Sequence, residues 1–66
     1  MRVRFDQQTD ALYIRLDEAP VSESQEVAHG LVLDFDSSDR VVGIEVLDVR
    51  KRLPKAHLNQ IDFEVV

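Results

Sequence analysis

Val3 and Phe5 alternate with Arg2 and Arg4, and after the polar run Asp6-Gln7-Gln8-Thr9-Asp10 the alternation resumes with Leu12, Ile14 and Leu16 against Tyr13 and Arg15. Period two on both sides of a short polar break predicts a β-hairpin with one buried face, because successive strand side chains point to opposite sides. Asp6 and Asp10 suit the break, since their short carboxylates accept hydrogen bonds from nearby backbone amides. Asp17 to Gln25 is polar, holds Pro20 and two serines, and reads as a loop. Glu26 to Phe35 reads as a third strand, with Leu31, Leu33 and Phe35 on one face and Val32 and Asp34 on the other. Gly30 inside that run predicts a bulge. Asp36-Ser37-Ser38-Asp39 is a second turn, after which Val42, Ile44 and Val46 form the inner face of a fourth strand. The two hairpins echo each other, each running Phe-Asp, polar turn, then an aliphatic strand that ends at an acidic residue.

After Asp48 the alternation stops. Leu53, His57, Leu58 and Ile61 fall near helical spacing, and Pro54 suits a first helical turn, which predicts a short helix from about Pro54. Asp62 to Val66 alternates weakly and is a candidate terminal strand. The expected fold is therefore α+β, mainly antiparallel β: a meander of two hairpins, about four strands, with a short C-terminal helix.

Size changes how this fold can be stabilised. Residues 1–66 make a single small domain. A chain of this length buries only about 60% of the surface its unfolded form exposes. Small domains usually gain support from disulfides, a metal or oligomerisation. The chain has no cysteine, which removes disulfides and thiolate metal sites and leaves self-association. We therefore expect a homo-oligomer, a dimer first of all. Val32, Val41, Leu47 and Val49 lie opposite Leu33, Ile44 and Val46 in strand parity, so the second hairpin reads as apolar on both sides. Those four residues are the expected partner face.

The net charge is −5, but residues 1–49 hold four basic and eleven acidic side chains, net −7, whereas residues 50–66 hold four and two, net +2. An acidic body argues against duplex DNA, whose phosphates need a basic surface, and suits a basic protein partner. No apolar run approaches the roughly 18 residues of a membrane span, and the Met1–Arg4 start lacks the apolar core of a signal peptide. The expected location is cytoplasmic, with no membrane partner.

The candidate chemistry is sparse. Asp34, Asp36, Ser38 and Glu45 match four positions of the EF-hand calcium loop, but Asp39 stands where that loop needs glycine and both flanks alternate like strands. A solvated hairpin turn is the expected reading. The turn aspartates lack an evident cleft to raise a carboxyl pKa, His29 and His57 have no close partner at ligand spacing, and no serine sits in a nucleophile elbow. We expect no catalytic residues, no metal and no cofactor. Arg2, Arg4, Tyr13 and Arg15 share the outer face of the first hairpin, a pattern that suits single-stranded RNA, although cross-strand charge pairing accounts for it more simply. Arg50, Lys51, Arg52 and Lys55 cluster half of the basic side chains in six residues, suited either to a phosphate contact or to docking on the acidic hairpins.

Phe5-Asp6, Asp10-Ala11-Leu12-Tyr13-Ile14, Glu26-Val27, Gly30 with Leu33-Asp34-Phe35-Asp36, Gly43-Ile44-Glu45-Val46-Leu47-Asp48 and Arg52-Leu53 together resemble the YuzE-like family of small bacterial proteins, a domain of unknown function. The resemblance covers roughly the first fifty residues and implies no catalytic residue or cofactor. Family members typically carry glycine where this chain has Asp39, and aspartate tolerates left-handed backbone better than most residues. Some are encoded beside small toxin-like proteins, which implies an antitoxin-like role. The function expected is a non-enzymatic protein-interaction module; the alternative is a nucleic-acid or small-ligand binder using the Arg/Tyr face or the basic segment.

Overall fold

A computed structural model describes all residues, 1–66. Five strands, β1 (Arg2–Asp6), β2 (Ala11–Arg15), β3 (Glu23–Ala28), β4 (Leu31–Phe35) and β5 (Val41–Val46), precede a single helical turn, α1 (Val49–Arg52). All pair antiparallel in one sheet of order β1-β2-β5-β4-β3. The mainly antiparallel β class is as expected; the meander is not. Strands β3, β4 and β5 are consecutive neighbours, and β2 lies beside β5, so β2 to β5 make a Greek key. The connection after β2 runs along one end of the sheet, held by the Leu16 amide on the Val42 carbonyl (2.8 Å) and the Ser22 amide on the Phe35 carbonyl (2.8 Å).

The extra strand arises because the run read as one strand, Glu26 to Phe35, folds back at His29-Gly30 into two, the first of which begins three residues earlier in the stretch read as a loop. Glu23–Ala28 forms the edge strand β3, with all six residues exposed. Neither of its faces is buried, so it carries no alternation by which to recognise it. The bulge sits at Val27, between Glu26 and Ala28, rather than at Gly30. Gly30 instead takes a left-handed conformation (φ 78°) in the turn between β3 and β4, a conformation glycine adopts without the penalty a Cβ brings.

Both Asp-led turns form as expected. The carboxylate of Asp6 accepts from the amides of Gln8 (2.9 Å) and Thr9 (3.3 Å), and that of Asp36 from the amides of Ser38 (2.8 Å) and Arg40 (3.0 Å). Asp39 is left-handed (φ 61°), as are Asp10 and Asp48 (φ 56° and 53°).

The helix forms ahead of Pro54 rather than from it. Asp48 turns the chain out of β5, and α1 ends where Leu53 leaves helical geometry (φ −127°, ψ 65°). A residue before proline is driven from the α region by the ring, so Pro54 stops the helix it was expected to start. The turn is tied to the first hairpin by Val49 and Arg50, whose amides donate to the Asp10 carbonyl (3.1 Å) and carboxylate (3.2 Å). Residues 62–66 form no strand. No helix is long and apolar enough to cross a membrane.

Register sorts the sheet into two faces. Val3, Ile14, Ile44 and Leu33 form one cross-strand row, and Phe5, Leu12, Val46 and Leu31 the next. This is the apolar face. The interleaved rows, Arg4-Tyr13-Glu45-Val32-Glu26 and Arg2-Arg15-Gly43-Asp34-Ser24, make the other face polar. The core is thin: Val42 and Val49 are the only apolar side chains buried outright, at 2% and 0% exposure.

Candidate functional site

On the polar face, the Tyr13 phenol crosses β5 to donate to Asp34 Oδ2 (2.6 Å), while the Ser24 hydroxyl donates to Asp34 Oδ1 (2.6 Å). Arg15 donates through Nη1 to the Tyr13 oxygen (3.3 Å) and through Nη2 to the Ala19 carbonyl. Its Nε is buried without a hydrogen bond, 3.9 Å from Glu18. The crossing is possible because β5 carries Gly43 between Tyr13 and Asp34: a Cβ there would lie 2.5 Å from the phenol oxygen and 2.9 Å from Asp34 Oδ2. The hydrogen bond to Asp34, helped by burial, pushes the Tyr13 phenol above its ordinary value. Its bond to the Tyr13 oxygen raises Arg15 in turn.

The network changes the standing of the sheet-face residues. Arg15 keeps only 12% of its side chain exposed, and Arg2 pairs with Glu18 at 3.0 Å. Only Arg4 of that group makes no ion pair; it lines a small recess of about 180 Å³ with Asp6, Thr9, Tyr13 and Glu45. In the basic segment, Arg50 bonds the Asp10 carboxylate (2.9 Å) and the Gln7 carbonyl (3.0 Å) and lies 6.0 Å from the Phe5 ring centre. The Arg52 guanidinium packs against Gly30, within 2.5–2.7 Å of where a Cβ would stand. Lys51 and Lys55 are exposed and unpaired. Arg2 and Arg15 are thus engaged locally, by Glu18 and Ala19 of the loop after β2 and by Tyr13, rather than by acids on neighbouring strands, and Arg50 docks on the first hairpin.

The four residues expected to form a second apolar surface are not all available to a partner. Val49 is wholly buried in the helical turn. Leu47 lies just beyond β5, its amide donating to the Gly30 carbonyl (2.8 Å). Val32 stands between Glu45 and Glu26, and Val41 sits at the register shift beside Phe35. Parity fails for Val49 because left-handed Asp48 (φ 53°) redirects the backbone ahead of it.

The apolar surface that does stay open lies on the other face. The C-terminal segment crosses β1 and β2 and leaves a groove of about 470 Å³, lined by Val3, Phe5, Leu12 and Ile14 from the sheet and by Leu53, Leu58 and Ile61 from the segment. Sequence reading gave Val3, Phe5, Leu12 and Ile14 a buried face and Leu53, Leu58 and Ile61 a short helix, and placed the shortage of cover on the opposite face of the second hairpin. One helical turn instead leaves the apolar face of the first hairpin half open. The carboxylates are dispersed: Asp34 faces Tyr13 and Ser24, whereas Asp36 holds its own turn and Arg40 Nε (2.8 Å). No three of the His, Asp and Glu side chains gather as metal ligands.

A five-stranded Greek-key sheet with one hydrogen-bonded polar face and one half-covered apolar face defines a class of small antiparallel-β domain. The chain belongs to the family described as Protein of unknown function (DUF2283), whose model matches residues 2–50. That span takes in all five strands and ends at the start of α1, before the segment that lines the groove. No curated protein and no solved structure matches the chain.

Proposed function

We propose that this protein is a non-enzymatic interaction module that binds a second copy of itself through the apolar sheet face. The observation that carries the reading is the open groove between the first hairpin and residues 53–61, in a chain whose apolar core reduces to Val42 and Val49. Burying such a surface is the main favourable term available to a domain without disulfides. Two copies carry −5 each, and they meet with least repulsion at an uncharged face. Edge-to-edge pairing about a two-fold axis is disfavoured at both ends of the sheet. It would set Arg2 and Arg4 against their own copies at β1, or Glu23 and Glu26 against theirs at β3.

The acidic surface left outside that contact suits a basic protein partner, and an antitoxin-like role is the form of this reading in which the partner is a small basic toxin. Protein binding is favoured over RNA binding, because the Tyr13 hydroxyl and Arg15 are already engaged within the sheet. Sedimentation velocity across micromolar concentrations tests the reading. We expect a dimer, weakened by Leu53→Glu at the groove with the β-sheet circular dichroism retained. A wild-type chain that stays monomeric throughout overturns it.

A further inference from the structure

The last residues, Ile61-Asp62-Phe63-Glu64-Val65, alternate apolar and acidic side chains but pair with nothing. No backbone hydrogen bond is made beyond the one from Gln60 to His57. Ile61, Phe63 and Val65 are 65%, 73% and 85% exposed, and Asp62 and Glu64 form no ion pair. The outer edge of the sheet offers the complementary series. Strand β1 presents Arg2, Val3, Arg4 and Phe5 along an unpaired edge, with Val3 and Phe5 on the apolar face and the arginines on the polar one. Arg4 makes no ion pair, with Asp6 and Glu45 only sharing its recess, and the Arg2–Glu18 pair is exposed on both sides, at 71% and 63%, so it can be exchanged at little cost.

We propose that residues 61–65 of one chain add as an antiparallel strand to the β1 edge of a second copy, the two copies exchanging tails about a two-fold axis. With Phe63 opposite Val3, the register sets Asp62 against Arg4, Glu64 against Arg2 and Ile61 against Phe5. Every pair then matches in both charge and face. A shift by one residue would turn the acids onto the apolar face and lose every match, so the register is specified strongly. The opposite edge is unsuitable, since β3 presents Glu23 and Glu26 to the same acids. Added strands of this kind satisfy the unpaired edge amides and carbonyls, while the alternating side chains supply selectivity. Ile61, which lines the groove with Val3 and Phe5 of its own chain, would in the exchange leave that place and take the corresponding one on the second copy. The proposal rests on the self-association reading and specifies its geometry.

Cysteine cross-linking separates the two, because the chain has no cysteine of its own. The full-length single variants Val3→Cys and Phe63→Cys are mixed, oxidised and run without reductant. We expect an interchain disulfide in the mixture and far less in either variant alone. Charge reversal is the second arm: Asp62→Lys with Glu64→Lys should weaken the wild-type dimer roughly tenfold. Adding Arg2→Glu and Arg4→Glu to the same chain should restore it. A wild-type dimer that gives no mixed disulfide and ignores the charge reversal overturns the tail exchange and leaves the groove contact standing. A Val3→Cys/Phe63→Cys double variant that closes only within one chain overturns it too, by placing the tail on its own β1. A monomeric wild type removes both.

Discussion

Gly43 lacks a side chain where two others meet. Tyr13 and Asp34 belong to strands on either side of β5, and their 2.6 Å hydrogen bond passes over the Gly43 backbone. Gly43→Ala should therefore destabilise the fold by about 1–3 kcal/mol, the usual range for an overpacked site. In Tyr13→Phe, which removes the nearest oxygen, the same alanine should cost less. Chemical denaturation of the four members of the cycle should give a coupling of about 0.5–1 kcal/mol. Tyr13 is the only tyrosine, so its phenolate absorbance reports a single group. Its hydrogen bond to Asp34 raises the folded value above 10.0, so the stabilisation is complete below that unfolded value and is lost as pH rises through the folded one. Asp34→Asn should bring the phenol titration back toward its ordinary value, and unchanged titration would rule out the bond. None of this was legible in the sequence, because the side chains involved are twenty-one positions apart and meet only through pairing with β5.

At the scale of the elements, turns and strand faces were legible and strand edges were not. Alternation is local, so the apolar rows of β1, β2, β4 and β5 follow directly from it. The edge strand β3 buries neither face and so carries no such signal. The two aspartate-led turns were legible because each carboxylate bonds amides only a few residues away. They also carry a pH dependence. The amides of Thr9 and Gln8 hold Asp6 below 3.8, and the amides of Arg40 and Ser38 do the same for Asp36. Both groups favour the fold in their charged form, so their contribution is present above 3.8 and is lost as pH falls through the lowered folded values. Thermal unfolding midpoints should hold steady from neutral pH down toward that point and then fall. Asp36→Asn should lower the midpoint at neutral pH and flatten the acid limb. The helical turn is the contrasting case: Pro54 signalled a helix boundary from sequence, but whether it opened or closed the helix depended on Asp10 already capping the amides of Val49 and Arg50.

For the whole molecule the deciding quantity is apolar cover. Val49 belongs to the small core, and Val49→Ala should cost about 2 kcal/mol from lost burial and the residual cavity. The groove residues are only half covered, so association should add stability by mass action. Under the self-association reading, the thermal midpoint should rise with protein concentration, and Leu53→Glu should shift that rise to higher concentrations. A concentration-independent midpoint would set the reading aside.

Residue order along the chain determined which stretches alternate, where the aspartates turn the backbone and that no covalent cross-link supports so small a domain, because each of these is set by near neighbours or by composition. Tertiary structure alone decided that β2 pairs with β5, that the glutamate-bearing segment closes the far edge, and which face is short of cover. Those outcomes depend on contacts between distant residues, and a two-residue period marks the two sides of a strand without saying what will lie against either.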